Sequence, residues 1–378
     1  MKQKHCSLDG NLLITSEIVL RLNAAEGNPR NSEGAFLELN DGSVIFAYSR
    51  FDGESFHDHD NADIAVIRST DCGKTWSSPE TLVKGEKCFG NNFMSVSLLR
   101  LQNGRICLMY LKKTALEDRV DCRPVLQYSD DDGKTWSKAR YIIGATGYYV
   151  VNNDRLIQLQ SGRLLIAAAQ HRWVANPDGE KCKEDSRAIG IVFYSDDNGE
   201  SWQEAPDWVL PAVTNSASGL QEPGVIELQP GKIMLWGRTD QGCQYKAFSY
   251  DDGLNWTDLV PAVEFPSPNA PLSIKRDPVT NDLVAVWCDI SSKYGVVPQP
   301  YSWGRTPYVM AFSSDNGQSW KNHFPFETEP DCGYCYCAIS FNRDDSILLG
   351  YCSGGQKYQT AVLQDTTLRR FVRCSNED

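Results

Sequence analysis

The sequence contains no apolar run approaching the roughly 18 residues that a membrane-crossing helix needs, and no cluster of Lys and Arg of the kind that grips phosphate. Basic residues are in deficit: 37 Lys and Arg face 49 Asp and Glu, for a formal net charge of −12. Neither a membrane nor a nucleic acid is an expected partner. Also missing is any window of about ten residues with a helical apolar period, so the chain is expected to be all-β. The opening Met1-Lys2-Gln3-Lys4 leads into polar sequence, not into an apolar stretch of signal-peptide length. The expectation is a cytoplasmic protein, or a secreted one if a leader has been removed. The 13 cysteines, an odd number scattered from Cys6 to Cys374, lack the dense spacing of a disulfide scaffold. Cys332, Cys335 and Cys337 crowd together, yet no second ligand pair at zinc-finger spacing accompanies them. Free thiols, no metal and no cofactor are expected.

What is present is a repeat. The octapeptide Ser-x-Asp-x-Gly-x-(Thr/Ser/Asn)-Trp occurs five times, at 69–76, 129–136, 195–202, 249–256 and 313–320. The tryptophans Trp76, Trp136, Trp202, Trp256 and Trp320 are spaced by 60, 66, 54 and 64 residues. A structural unit therefore takes about 60 residues, and the chain has room for roughly six. Each copy reads as a tight turn in which the Asp accepts backbone N–H bonds, the Gly supplies positive φ and the Trp plugs the turn onto its sheet. These aspartates are turn-makers, with no catalytic or calcium-binding role expected. Alternating strand pairs precede the turns, as at residues 34–48, and the same shape recurs at 99–110, 156–168, 225–236 and 339–351. The expected architecture is a six-bladed β-propeller of four-stranded antiparallel blades. It is one domain over residues 1–378, closed by pairing residues 14–22 with residues 360–373.

The five repeats resemble the Asp-box, or BNR, repeat of the sialidase superfamily, whose members are six-bladed propellers. The resemblance runs along essentially the whole chain. It implies a central site in which three arginines bind a substrate carboxylate, a Tyr with a Glu partner acts as nucleophile, and an Asp serves as acid/base. Gln221-Glu222-Pro223-Gly224, followed by Trp236-Gly237-Arg238, is similar to the stretch carrying the Glu and the second arginine. Trp303-Gly304-Arg305-Thr306-Pro307 resembles the segment of the third arginine. Cys335-Tyr336-Cys337-Ala338-Ile339 resembles the nucleophile segment, which puts Tyr336 there with Tyr334 as the alternative. The stretch from Arg50 through His57-Asp58-His59-Asp60 resembles the loop that delivers the Asp, with Asp60 at its position and Asp58 competing. The family's Arg-Ile-Pro segment is absent. Its place is taken by Asn28-Pro29-Arg30-Asn31-Ser32-Glu33, so either Arg30 reaches in or Glu33 occupies the space.

The chemistry needs these residue types. A phenol with an ordinary pKa near 10 is a poor nucleophile at neutral pH, so it needs a carboxylate such as Glu222 to take its proton. An anomeric carbon already bearing a carboxylate favours attack by a neutral phenol over attack by a second anion. Arg238 and Arg305, with Arg50 or Arg30, would hold that carboxylate through paired guanidinium bonds. Tyr148, Tyr149, Asn152, Asn153, Arg155 and His171 either line the pocket or cap strand ends. His57 to Asp60 could bind a divalent metal, a role the resemblance does not require. The expected function is a retaining exo-glycoside hydrolase releasing a terminal acidic sugar, sialic acid or a related 2-keto acid, from a glycan. Two alternatives stay open: another glycan-active propeller enzyme, such as an exo-arabinanase-like hydrolase or a polysaccharide lyase, and a non-catalytic glycan-binding propeller.

Overall fold

All five Ser-x-Asp-x-Gly turns share one set of Ser, Asp and Gly hydrogen bonds in the computed structural model, which describes residues 2–85, 92–175, 182–211 and 215–374. In the first copy Ser69 donates to Asp71 at 2.8 Å, and the Gly73 amide donates back to the Ser69 hydroxyl at 2.9 Å. The Thr75 amide donates to Asp71 at 2.9 Å, and the Trp76 indole donates to the Gly73 carbonyl at 3.1 Å. Gly73 sits at φ 78°, which a glycine adopts without steric cost. Every polar group of the Asp is spent on its own turn, so the structural role expected of it holds.

The fold is all-β, with three 3₁₀ turns as the helical content of the described residues. Residues 31–83, 221–266 and 273–327 each make four antiparallel strands in chain order. Residues 92–209 make one nine-stranded sheet where two four-stranded sheets were expected. The cause is local: Tyr148–Val150 pairs in parallel with Val120–Ser129 at one position, Tyr148 opposite Cys122, and this joins two otherwise antiparallel groups. The remaining sheet has five strands, because Gln3–Cys6 adds to the edge of Leu13–Leu22. Hydrogen bonding thus yields five sheets of unequal size. Leu13–Leu22 pairs with Thr360–Arg373, Ile14 opposite Arg373, and so ties the start of the chain to its end.

The sheets are joined by apolar side chains along their faces. Ala35, Ala47 and Ile64 of one sheet meet Val96, Leu98, Tyr110 and Val125 of the next, and Trp136 of the second repeat packs against the same cluster. Burial of such side chains is worth about 1.5–3 kcal/mol each, which makes these seams the main stabilising term. The cysteines of the described residues are all free thiols, and Cys88 lies outside those residues. No helix among the described residues is long and apolar enough to cross a membrane.

Candidate functional site

Four strands carry the same irregularity. Their pairing slips between Ser32 and Ala35, between Met94 and Ser97, between Gln221 and Gly224, and between Cys335 and Ala338. The extra residue in each bulge takes a left-handed backbone: Glu33 at φ 56°, Ser95 at 59°, Glu222 at 46° and Tyr336 at 57°. A bulge turns one side chain out of the pleat and bends its strand. All four of these side chains line one cavity of about 230 Å³. The cavity also takes in Asp58, Lys113, Tyr148, Asn152, His171, Glu184, Gln221 and Arg238.

At its floor the Tyr336 hydroxyl donates to Glu222 Oε1 at 2.9 Å. Arg238 Nε lies 3.3 Å from Glu222 Oε2 and donates to Gln221 Oε1 at 3.1 Å. Arg238 Nη1 is buried and has no hydrogen-bond partner, so one arm of the guanidinium is left over. Burial, and then the neighbouring Glu222 carboxylate, push the Tyr336 phenol well above its usual pKa. Tyr336 therefore stays protonated until a base removes its proton, and Glu222 is the carboxylate within reach.

Opposite lies a second acidic group. Arg30 donates from Nη2 to Glu33 at 2.6 Å, from Nη1 to Asp58 at 2.5 Å and from Nε to Ser32 at 2.9 Å. Ser95 donates to the other Glu33 oxygen. Burial raises Glu33, with Arg30 opposing the rise. Asp58 goes the other way: desolvation alone would raise it, but Arg30 and Lys113 hold it below the usual carboxylate range. Its side chain is 53% exposed at the cavity mouth. Lys113 Nζ donates to the Asp58 carbonyl at 2.7 Å.

Tyr336, Glu222, Arg238 and His171 therefore meet at one cavity. His171 is held by its Nδ1 against the Asp185 carbonyl at 2.7 Å, and burial lowers its pKa. The other expected residues are placed differently. Asp60 does not reach the cavity: its carbonyl accepts from Asn92 at 3.0 Å, and Asp58 of the same loop lines the site instead. Arg30 does not grip a ligand from the cavity wall, because it is 1% exposed and its donors are spent on Glu33, Asp58 and Ser32. Arg50 lies in Val44–Phe51 opposite Asn31 and Asp63, off the cavity lining. Asn153 lies behind the wall, where its amide donates to the carbonyls of Gly34 at 2.7 Å and Tyr336 at 3.1 Å. It clamps two cavity strands together.

Arg305 sits just outside the cavity, its guanidinium 5.9 Å from the Tyr336 ring centre and donating to Cys335 Sγ at 3.1 Å. The alternative Tyr334 is a core residue, stacked 6.0 Å from Tyr308. Tyr148 and Asn152 line the cavity, whereas Tyr149 and Arg155 do not. Arg155 spends a donor on the Leu272 carbonyl at 2.7 Å.

Ser95, Lys113 and Glu184 were not singled out by sequence. For Ser95 a signal exists: Glu33, Ser95, Glu222 and Tyr336 each stand nine positions before the left-handed residue of their own hairpin turn, Gly42, Gly104, Gly231 and Asp345. Lys113 and Glu184 lie on second and third strands, where nothing in the local pattern separates them from ordinary strand-end charges.

A family model described as a BNR repeat-like domain matches residues 53–349. The chain is 28% identical over 231 residues to a sialidase of Clostridium perfringens, a match covering 58% of this chain and 58% of that protein. It is 27% identical over 243 residues to a sialidase of Paraclostridium sordellii, covering 58% of this chain and 55% of that one. The match thus spans little more than half the length of these curated relatives. Among solved structures, the Hadza microbial sialidase Hz136 superposes with a TM-score of 0.67 at 18% identity, over 95% of this chain and 71% of that one. A protein of unknown function from Dyadobacter fermentans gives 0.68 at 16% identity, over 94% and 99%. At such identities the likeness speaks for the fold.

Proposed function

The chain belongs to the BNR repeat-like family within the sialidase superfamily, and from that premise we propose that it is a glycoside hydrolase releasing a terminal acidic sugar, sialic acid or a related 2-keto acid, with retention of configuration. The observation that carries the reading is the buried Tyr336–Glu222 pair at 2.9 Å on the cavity floor. In the first step the Tyr336 oxygen bonds to the anomeric carbon as Glu222 takes the phenolic proton. The bond to the leaving oxygen breaks, and Asp58 supplies that oxygen with a proton. In the second step Asp58 takes a proton from water, whose oxygen displaces the Tyr336 oxygen from the opposite side. Glu222 then returns the proton to the phenol.

Arg238, with Nη1 unpaired, and Lys113 are the cations lining the cavity. In this reading they bind the substrate carboxylate, with Arg305 backing Tyr336 from outside. The reading also takes residues 1–378 as one six-bladed propeller, with the nine-stranded sheet counted as two blades bridged at Tyr148. The test is release of a fluorogenic phenol from an aryl α-sialoside, run beside Tyr336→Phe.

One observation favours a second reading. Glu33 consumes Arg30 and adds a carboxylate to the wall, leaving fewer cations for an anionic sugar than the resemblance implies. A propeller hydrolase acting on a neutral glycan, such as an exo-arabinanase-like enzyme, fits that wall. It predicts no turnover of sialosides.

A further inference from the structure

Four arginines among the described residues are buried, and three of them hold a carboxylate: Arg30 with Glu33 and Asp58, Arg369 with Glu327, and Arg370 with Asp344. Arg155 is the fourth, 3% exposed, and among the described residues it has no ion pair. Its guanidinium donates from Nη2 to the Leu272 carbonyl at 2.7 Å, and its buried Nε has no partner. Burial pulls this guanidinium below its ordinary pKa, and the charge of the adjoining Asp154 opposes that shift without cancelling it. Arg30 shifts the other way, because its two carboxylates outweigh the same burial. Burying a charge without a counter-charge is costly, so a negative group brought to Arg155 is bound favourably.

Arg155 lines a second cavity, of about 320 Å³, that shares no lining residue with the first. The same strands serve both. In Asn92–Arg100, Ser95 lines the first cavity and Leu98 and Leu99 the second; in Gln221–Gln229, Glu222 lines the first and Val225, Ile226 and Glu227 the second. Three to five positions at about 3.3 Å each separate these points by about 10–17 Å along the strands. The second cavity therefore lies at the other end of the inner strands.

Its wall combines apolar side chains, among them Leu98, Leu156, Ile226, Trp236 and Ile274, with three cations and two carboxylates. Lys275 takes up Asp154, with Nζ at 2.9 and 3.0 Å from the two carboxylate oxygens, and the Ile339 amide donates to the same group at 3.2 Å. Glu227 Oε2 accepts from the Gln160 amide at 2.9 Å. Arg276 donates to neutral acceptors, the carbonyls of Asn281 at 2.8 Å and of Glu227 and Leu228 at 3.0 Å each. Once Lys275 and Asp154 cancel, two arginines face one carboxylate, and the wall is left with one positive charge.

These features select an occupant. A cation meets a positive wall, a neutral apolar molecule leaves Arg155 uncompensated, and a compact inorganic anion leaves the apolar wall uncovered. We propose that this second cavity binds an amphipathic organic acid in its anionic form, with one carboxylate on Arg155, the charge of Arg276 reinforcing it, and an apolar body against Leu98, Leu156 and Trp236. A guanidinium suits a carboxylate because its N–H donors match the two oxygens, and Arg155 keeps donors unspent.

The test is isothermal titration with 3-phenylpropionate, beside its uncharged amide 3-phenylpropanamide and beside acetate, which lacks the apolar body. The wild type is expected to bind 3-phenylpropionate at least about tenfold more tightly than either comparison. Arg155→Met keeps an apolar stem and should weaken that binding by at least about tenfold. Arg276→Gln, at a partly exposed position, should weaken it several-fold and keeps the test valid if Arg155→Met fails to fold. Arg238→Gln reports on the first cavity and should leave the affinity unchanged. Absence of binding by the wild type, equal affinity for the acid and its amide, or a loss in Arg238→Gln with none in Arg155→Met or Arg276→Gln overturns the proposal. Turnover of a sialoside plays no part in this test, so the hydrolase reading and the second cavity stand or fall separately.

Discussion

Tyr336 and Glu222, 114 positions apart in the chain, meet at 2.9 Å because each occupies the extra, left-handed residue of a β-bulge, at φ 57° and 46°. A non-glycine residue in that region costs on the order of 1–3 kcal/mol, and neither side chain recovers it by apolar burial alone. The same device places Glu33 and Ser95. The fold thus spends backbone strain at four equivalent points to aim polar side chains into one cavity.

If Glu222 is the base for Tyr336, Glu222→Gln keeps the shape and a hydrogen bond but loses the proton acceptor. The expected outcome is a fall in kcat of about 10²–10⁴-fold with KM little changed. Steady-state kinetics on an aryl glycoside check it, and a kcat within a few-fold of the wild type would remove Glu222 from the mechanism.

Asp58 should matter most where the leaving group is poor. Asp58→Asn is expected to lose about 10²-fold or more on an oligosaccharide and less on an activated aryl glycoside, which departs without a proton. Because Arg30 and Lys113 hold Asp58 low, the protonated form it needs as acid is depleted as pH rises. Wild-type activity therefore favours acidic pH, and that alkaline decline should flatten in Asp58→Asn. Asp60→Asn serves as the comparison and should retain far more activity.

Glu33→Ala removes one of the two carboxylates that pair with the buried Arg30. Breaking a buried ion pair by deleting one partner costs about 3 kcal/mol. Urea unfolding should show a loss of this order. An unchanged midpoint would mean that Asp58 alone satisfies Arg30.

The repeat turns should set the acid limit of the fold. The Thr135 hydroxyl and amide bonds, with that from Ser129, hold Asp131 down to about 2 from an ordinary 3.8. A folded-state pKa below the unfolded one contributes stability that is present above the unfolded value and lost as pH falls toward the folded value. Asp131→Ala should lower the melting temperature at neutral pH, and its deficit against the wild type should shrink between about pH 4 and pH 2. A deficit that stays constant across that window would contradict the assignment.

How much of this the sequence reveals follows from what it encodes locally. The repeat turns are local, since Ser, Asp and Gly satisfy one another within the octapeptide, so the all-β units can be read directly. The pair Tyr336 and Glu222 is legible because their segments resemble the family's, and each also lies nine positions before the left-handed residue of its own hairpin turn, Asp345 and Gly231. The loop from Arg50 to Asp60 has no such ruler, and a two-residue shift put Asp58 rather than Asp60 on the cavity. The fates of Arg30 and Asn153 depend on partners across the fold, Asp58 for one and the Tyr336 carbonyl for the other. No spacing along the chain announces such contacts. The nine-stranded sheet depends on one parallel bridge, at Tyr148, and is equally invisible to local pattern.

The most direct test of the central claim is hydrolysis of a fluorogenic aryl α-sialoside from about pH 4 to pH 8, by the wild type and by Tyr336→Phe matched for melting temperature. Turnover by the wild type with a loss of at least about 10³-fold in the variant is the predicted result. Comparable turnover by the folded variant, or none by the wild type, would contradict a sialoside hydrolase with Tyr336 as its nucleophile.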